Sequence, residues 1–137
     1  MPRYQILIEQ SFSRPVQDIF KALADHDNLA KLFGAPVKRI VDGPGDVNGV
    51  GSVRQIGFWP MAVHETVRAF EPHSRIEYQV TQGGFPMSNH RGQMRFSSLG
   101  EGSRLNWQID FDMPPLIGDV VTAVLKSVLS KGVRSLT

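Results

Sequence analysis

Residues 105–113 alternate strictly between hydrophobic and polar side chains. A period of two is typical of a strand with one buried face and one solvent-facing side. Pro114 and Pro115 end the pattern, because proline cannot donate a hydrogen bond to a sheet. Hydrophobic residues then recur every three or four positions, which predicts a long amphipathic helix at the C-terminal end. Its apolar stripe consists of Ile117, Val120, Val121, Val124, Leu125, Val128 and Leu129.

The rest of the chain predicts one strand, two short helices and then strands only. Residues 4–10 form the first strand, and a helix begins at 13–15, where a proline suits the first turn. A second short helix covers residues 27–33 and ends at Gly34. Turns that contain glycine or proline separate further strands at residues 37–41, 52–58, 61–70, 75–81 and 89–97. This order indicates an α+β fold in which a seven-stranded antiparallel sheet packs against the last helix.

Length and composition limit the class of protein. A chain of 137 residues fits one domain with a substantial core. It contains no cysteine, which excludes disulfides, thiolate metal sites and a cysteine nucleophile. Fifteen basic and thirteen acidic residues are scattered along the chain, so no nucleic-acid-binding face is expected. No segment has the apolar length of a signal peptide or a membrane span, so we expect a cytoplasmic protein.

Several short motifs occur in an order that resembles one known superfamily. They are the first helix at residues 12–20, the glycine-rich turn at 49–54, Glu65-Thr66-Val67, Glu71-Pro72 with Arg75 and Tyr78, and the last hairpin with Arg104 and Trp107. Together they resemble the START-like or helix-grip (SRPBCC) superfamily, which includes polyketide cyclases and dehydrases, major pollen allergens and plant abscisic-acid receptors. The resemblance covers nearly the whole chain and implies a single START-like domain over residues 1–137. It also implies a curved seven-stranded sheet around the C-terminal helix, with a deep, mostly apolar cavity between them.

Alternation along the strands predicts which side chains face this cavity. Trp107, Ile109 and Phe111 define one wall. Valines of the C-terminal helix define the opposite wall, where their small size favours empty space. Trp59, in the loop before Pro60, is expected near the entrance. The candidate ligand-binding residues are Arg54, Ile56, Trp59, Glu65, Val67, Tyr78, His90, Met94, Trp107, Ile109, Phe111, Val121, Val124 and Val128.

Glu65 is the most informative candidate, because alternation places it on one face with Val63 and Val67. A carboxylate among apolar neighbours is costly unless it is paired, and Arg54 on the adjacent strand is its natural partner. Three interpretations stay open. Glu65 anchors a ligand or acts in catalysis, it forms a structural ion pair with Arg54, or a shifted register exposes it. In the abscisic-acid receptors a glutamate at the matching place faces the cavity, so the resemblance favours an inward Glu65.

The candidates for proton transfer are Glu65, His90 and Tyr78. The imidazole of His90 has an ordinary pKa near neutrality, although a surface histidine is the simpler interpretation. Tyr78 either offers its hydroxyl to a ligand or is a packed ring. The histidines are dispersed over different elements, so neither a metal site nor another cofactor is expected.

Three classes of function are compatible with these features. The first is a binding or carrier protein for a small hydrophobic ligand, such as a lipid, an aromatic or a polyketide-like molecule. The second is a cyclase, aromatase or dehydratase that uses Glu65, Arg54, Tyr78 and His90. The third is a non-catalytic interaction module with a filled core. The apolar loops around residues 59–61 and 83–87 should lie at one end of the sheet, where they suit a cavity entrance, a cap on the core or a homodimer contact.

Overall fold

The computed structural model describes residues 1–137 and contains one antiparallel sheet flanked by helices on one side. The chain begins with β1 (Arg3–Phe12), α1 (Val16–Ala24), a 3-10 turn (His26–Asn28) and α2 (Ala30–Phe33). There follow β2 (Val37–Val41), β3 (Val53–Ile56), β4 (Val63–Glu71), β5 (Arg75–Gln82), β6 (Ser88–Leu99), β7 (Gly102–Asp112) and α3 (Ile117–Arg134). The strand order in the sheet is β1-β7-β6-β5-β4-β3-β2. The predicted α+β fold with seven strands and a long closing helix is therefore confirmed.

The position of β7 inside the sheet explains why hydrophobic and polar residues alternate so regularly along residues 105–113. The strand pairs with β1 on one side and β6 on the other, so its inner face covers the centre of the core. Its buried residues alternate with half-buried ones along the whole strand. The buried set is Ser103, Leu105, Trp107, Ile109 and Phe111.

Several boundaries differ by a few residues from the predicted ones, and two of the differences have a clear local reason. The predicted helix at 27–33 is divided into the 3-10 turn and the four-residue α2. The Asp25 carboxylate accepts a hydrogen bond from the backbone N–H of Asp27, which holds the tighter turn in place. Strand β3 ends at Ile56, two residues early, because Gly57 adopts a φ of 79° that extended strands do not use.

One end of the sheet is filled by aromatic side chains. Phe20 of α1 packs edge-on against Phe70 and Phe96, with ring centroids 5.4 and 5.0 Å apart. Edge-to-face packing at these distances is favourable for aromatic rings. This end therefore has a solid core.

The other end of the sheet is covered by α3, which packs on β1 and α2. Gly132 permits the close approach to α2, since a Cβ there would lie 2.7 Å from the Leu32 carbonyl oxygen. Register shifts in β4 around Glu65 and in β6 between Ser88 and Arg91 interrupt the regular ladder near this end. Such bulges bend strands, which gives the sheet room to curve. Neither α3 nor any shorter helix is both long and apolar enough to cross a membrane.

Candidate functional site

A pocket of about 240 Å³ lies between the inner face of the sheet and α3. Strands β3 to β7 contribute most of its wall, and residues of α2 and α3 lie across from them. Ten of the thirteen lining residues are hydrophobic, so the pocket suits a molecule with a mostly apolar surface and few polar groups. The lining consists of Phe33, Ile56, Val63, Glu65, Tyr78, Val80, Gly84, Met87, His90, Trp107, Ile109, Leu125 and Leu129.

A buried ion pair forms the polar side of this pocket. The register of β3 and β4 places Arg54 directly opposite Glu65. Nε of Arg54 donates to Glu65 Oε1 at 2.7 Å, and Nη2 lies 2.6 Å from the same oxygen without hydrogen-bond geometry. Arg54 is 2% exposed and Glu65 is 8% exposed. The two charges therefore compensate each other where an unpaired ion would be strongly destabilising.

The Arg54 guanidinium is held from several directions. Its central carbon lies 4.6 Å from the ring centroid of Tyr78 and 5.3 Å from that of Phe33. Both distances allow a cation–π interaction. On another side, Nη1 lies 3.4 Å from Nδ1 of His26, which accepts this weak hydrogen bond. Arg54 is thus fixed as part of the wall behind Glu65.

His26 is a structural part of the site that the sequence pattern did not indicate. It is 1% exposed, and its Nε2 lies 2.8 Å from the Ser52 hydroxyl oxygen. Burial, and then the charges of Arg54 and Arg39, lower the pKa of His26 to about 3. The ring is therefore neutral, and with Nδ1 facing Arg54, Nε2 carries the hydrogen that it donates to Ser52.

Tyr78 and Trp107 form a second buried polar contact. The indole Nε1–H of Trp107 donates to the Tyr78 hydroxyl oxygen at 2.9 Å. Burial, and then the Glu65 charge, raise the pKa of Tyr78 above its usual value, so the phenol is neutral. Its ring lies against Gly92 on β6, where a Cβ would overlap the ring atoms. The glycine is therefore required for the position of Tyr78.

His90 lies where the pairing of β5 with β6 has ended. Its Nδ1 accepts a hydrogen bond from the backbone N–H of Val80 at 3.1 Å. Burial lowers the pKa of His90, although the Glu65 charge opposes this shift. In the neutral ring Nε2 therefore carries the hydrogen. This Nε2 lies 3.9 Å from Glu65 Oε2, the carboxylate oxygen that Arg54 leaves free.

Six of the candidate residues from the sequence line the pocket, namely Ile56, Glu65, Tyr78, His90, Trp107 and Ile109. Arg54 lies behind Glu65 rather than in the lining. Val67, Met94 and Phe111 are buried in the adjoining core. Val121 is half-buried and packs against that core, while Val128 lies beside Gly34. No three histidine, aspartate or glutamate side chains converge in a way that could hold a metal ion.

Two of the candidates, Val124 and Trp59, are exposed instead of facing the pocket. Val124 is 54% exposed, because α3 turns Leu125 and Leu129 towards the pocket instead of the valine row. Val120, also expected in that wall, is 63% exposed. Leucines therefore form the helical wall, and the small valines do not create the space beside it. Trp59 is 88% exposed and does not line the pocket, because its loop extends into solvent beyond β3.

Two apolar loops lie side by side at the pocket end of the sheet, as predicted. Gly83 packs so tightly on the backbone of Ala62 that a Cβ would overlap it. Gly84 and Met87, which the sequence reasoning did not select, line the pocket from the second loop. Four large side chains of these loops are between 70% and 95% exposed: Phe58, Trp59, Met61 and Phe85.

This architecture, a curved sheet closed by a C-terminal helix over a mostly apolar pocket, defines a START-like helix-grip domain. The model of the family described as "Polyketide cyclase / dehydrase and lipid transport" matches residues 5–137. The chain belongs to this family. A search of curated protein sequences finds no match.

Solved structures support the same fold at low sequence identity. The crystal structure of Ara h 8.0201 has a TM-score of 0.67 at 18% identity, covering 98% of this chain and 99% of that one. The Aha1 dimer from Colwellia psychrerythraea has a TM-score of 0.74 at 16% identity, with coverages of 97% and 92%. A protein from Nitrosospira multiformis has a TM-score of 0.73 at 16% identity, with coverages of 98% and 97%. These likenesses establish the fold alone.

Proposed function

We propose that the protein binds a small, largely apolar molecule, such as an aromatic, a polyketide-like compound or a lipid fragment, and acts as its binding or carrier protein. The observation that supports this most directly is the pocket of about 240 Å³ with ten hydrophobic lining residues. An engineered apolar cavity of about 150 Å³ binds benzene, so this volume suits a molecule of one or two rings. A longer lipid chain would have to extend past the exposed loops, which we assign to the entrance.

An enzymatic role is the second candidate, favoured by one specific observation. A neutral histidine and a free carboxylate oxygen face each other at 3.9 Å in a mostly apolar pocket, an arrangement that suits general acid–base chemistry. The family description also includes cyclases and dehydrases. If the protein is an enzyme, Glu65→Gln abolishes turnover while ligand binding and fold persist.

The interaction-module hypothesis is the weakest, because it required a filled core. The exposed loop residues still suit contact with a second copy of the chain, and one structural neighbour was solved as a dimer. Sedimentation velocity tests whether the loops mediate self-association. A concentration-dependent dimer that Trp59→Ser abolishes would assign the loops to self-association instead of the entrance.

Native mass spectrometry of protein purified from its own cells tests the main proposal. We expect an apolar molecule to be carried by the wild-type protein and released on denaturation. Adding that molecule to stripped protein should then raise its stability by about 2.7 kcal/mol at one hundred times the dissociation constant.

A pair of variants controls for binding elsewhere. Val80→Trp fills the pocket from β5, whereas Gln79→Trp adds the same ring on the exposed outer face of that strand. Only the first should prevent binding. Equal binding by both variants, or no ligand and no stabilisation with the wild-type protein, would refute the proposed function.

A further inference from the structure

The most specific polar feature of the pocket is the gap between Glu65 and His90. Glu65 Oε1 is occupied by Arg54, but Oε2 accepts no hydrogen bond from the protein. Oε2 and His90 Nε2 are 3.9 Å apart, beyond the range of a direct hydrogen bond. Both residues line the pocket, and both side chains are at least nine-tenths buried.

These two atoms have opposite hydrogen-bonding roles. The carboxylate oxygen can only accept. His90 Nε2 can only donate, because Val80 N–H already occupies Nδ1. A contact longer than about 3.5 Å between such groups calls for a bridging atom. That atom must donate to one side and accept from the other, which is what a hydroxyl oxygen does.

The distance also fits a hydroxyl oxygen. If the bridging oxygen lies about 2.75 Å from the carboxylate and about 2.9 Å from the nitrogen, the angle at that oxygen is roughly 90° for the 3.9 Å gap. One oxygen therefore reaches both groups, at an angle about 20° narrower than the tetrahedral value.

We propose that the pocket selects an uncharged, ring-sized apolar molecule carrying a hydroxyl group, a phenol or an alcohol, whose oxygen bridges Glu65 Oε2 and His90 Nε2. This inference rests on the proposed binding function and names its ligand class. A ketone or ether lacks the hydrogen for Oε2 and leaves the carboxylate oxygen unpaired. A carboxylate ligand places a second negative charge beside Glu65. An ammonium ligand has no lone pair for His90.

A matched series of bicyclic probes tests the selection by calorimetry: 2-naphthol, naphthalene, 2-methoxynaphthalene and 2-naphthoate. Hydrogen bonds to a charged group contribute enough to predict about ten- to hundredfold tighter binding of 2-naphthol than of naphthalene. The methoxy and carboxylate compounds should bind no better than naphthalene. Equal affinities for naphthol and naphthalene would overturn the hydroxyl inference while leaving the pocket function intact. If neither binds, the ring-sized hydroxyl ligand is overturned, and native mass spectrometry decides the binding function separately.

Variants then identify the two groups. Glu65→Gln keeps a carbonyl oxygen for Arg54 and replaces the free acceptor by an amide donor. Either a hydroxyl or a methoxy oxygen can accept from that donor, so the preference for 2-naphthol over 2-methoxynaphthalene should disappear. The matched control Glu77→Gln alters a carboxylate of similar burial that pairs with Arg75 and Arg91 outside the pocket. It should leave the naphthol preference unchanged.

A second variant keeps the inference testable should Glu65→Gln fold poorly. His90→Leu removes the donor but keeps the Glu65 acceptor, so the advantage of naphthol should shrink while naphthalene binding persists. His64→Leu is the control, because His64 is half-buried on β4 but does not line the pocket. An undiminished naphthol preference in His90→Leu would contradict the bridge.

Discussion

Replacing Arg54 by methionine should destabilise the protein far more than removing an exposed arginine. In the folded state Arg54 is the sole hydrogen-bond donor to Glu65. Methionine fills a similar space between the rings of Tyr78 and Phe33 but carries no charge. The variant therefore leaves a buried carboxylate without its partner.

Removing one partner of a buried ion pair costs about 3–5 kcal/mol, because the other charge is left buried without compensation. Two cation–π contacts, each on the order of 1 kcal/mol, are included in this loss and are partly replaced by sulfur–aromatic contacts. The double variant Arg54→Met/Glu65→Leu removes the stranded charge as well. It should recover most of the loss, because replacing a whole buried ion pair by apolar residues is often close to neutral.

Urea unfolding followed by far-ultraviolet circular dichroism measures these differences. With a slope of about 2 kcal/mol per molar urea, the midpoint should fall by roughly 2 M for Arg54→Met. Arg104→Met is the matched control, because Arg104 pairs with Glu9 at 2.9 Å with both side chains well exposed. Arg104→Met should lower the free energy of unfolding by no more than about 1 kcal/mol. Equal losses for the two single variants would refute the assignment of Arg54–Glu65 as a buried, interdependent pair.

Three further outcomes follow from the structure. Gly92→Ala should lower the free energy of unfolding by about 1–3 kcal/mol, because the new methyl group overlaps a packed tyrosine ring. The control Gly45→Ala should be nearly neutral in the same urea assay, because its methyl group meets nothing within 4 Å. Because the pKa of His26 is lowered to about 3, the unfolded chain binds a proton that the folded protein does not, so the free energy of unfolding should fall as the pH falls below about 6.5. His26 contributes up to about 1.4 kcal/mol per pH unit, and His90 acts in the same direction. A free energy of unfolding that stays constant between pH 7 and 5 would contradict the buried neutral rings. Trp59→Phe should leave only the buried indole, so emission shifts to the blue and acrylamide quenching drops, and undiminished quenching would show that Trp59 is not exposed.

The fold could be predicted because periodicity is set by local geometry. The alternation in β7 and the wide stripe of α3 follow from side-chain direction in strands and helices. The pairing of Arg54 with Glu65 also followed from two adjacent strands joined by a short connection. Such contacts depend on register, which alternation constrains strongly.

The rest of the site depends on tertiary packing that no local pattern contains. The stripe of α3 is broad enough for either its valines or Leu125 and Leu129 to face the pocket, and the close contact with α2 at Gly132 decides between them. His26 lies in a short turn without periodicity, so its contact with Arg54 joins residues 28 positions apart with no sequence signal. The role of His90 depends on the end of β5–β6 pairing, which frees the Val80 N–H.

The geometry of the Arg54–Glu65 pair separates a purely structural role from a ligand-binding one. A guanidinium that served only to neutralise a carboxylate would be expected to bind both oxygens in a parallel fork, the most stable arrangement. Here Nε and Nη2 both approach Oε1, and Oε2 is directed towards His90 at 3.9 Å. Oε2 has no donor from the protein and faces the pocket, where it stays available to a ligand. A bound hydroxyl supplies that donor, so the buried ion pair of the wall also provides the free acceptor for the proposed ligand.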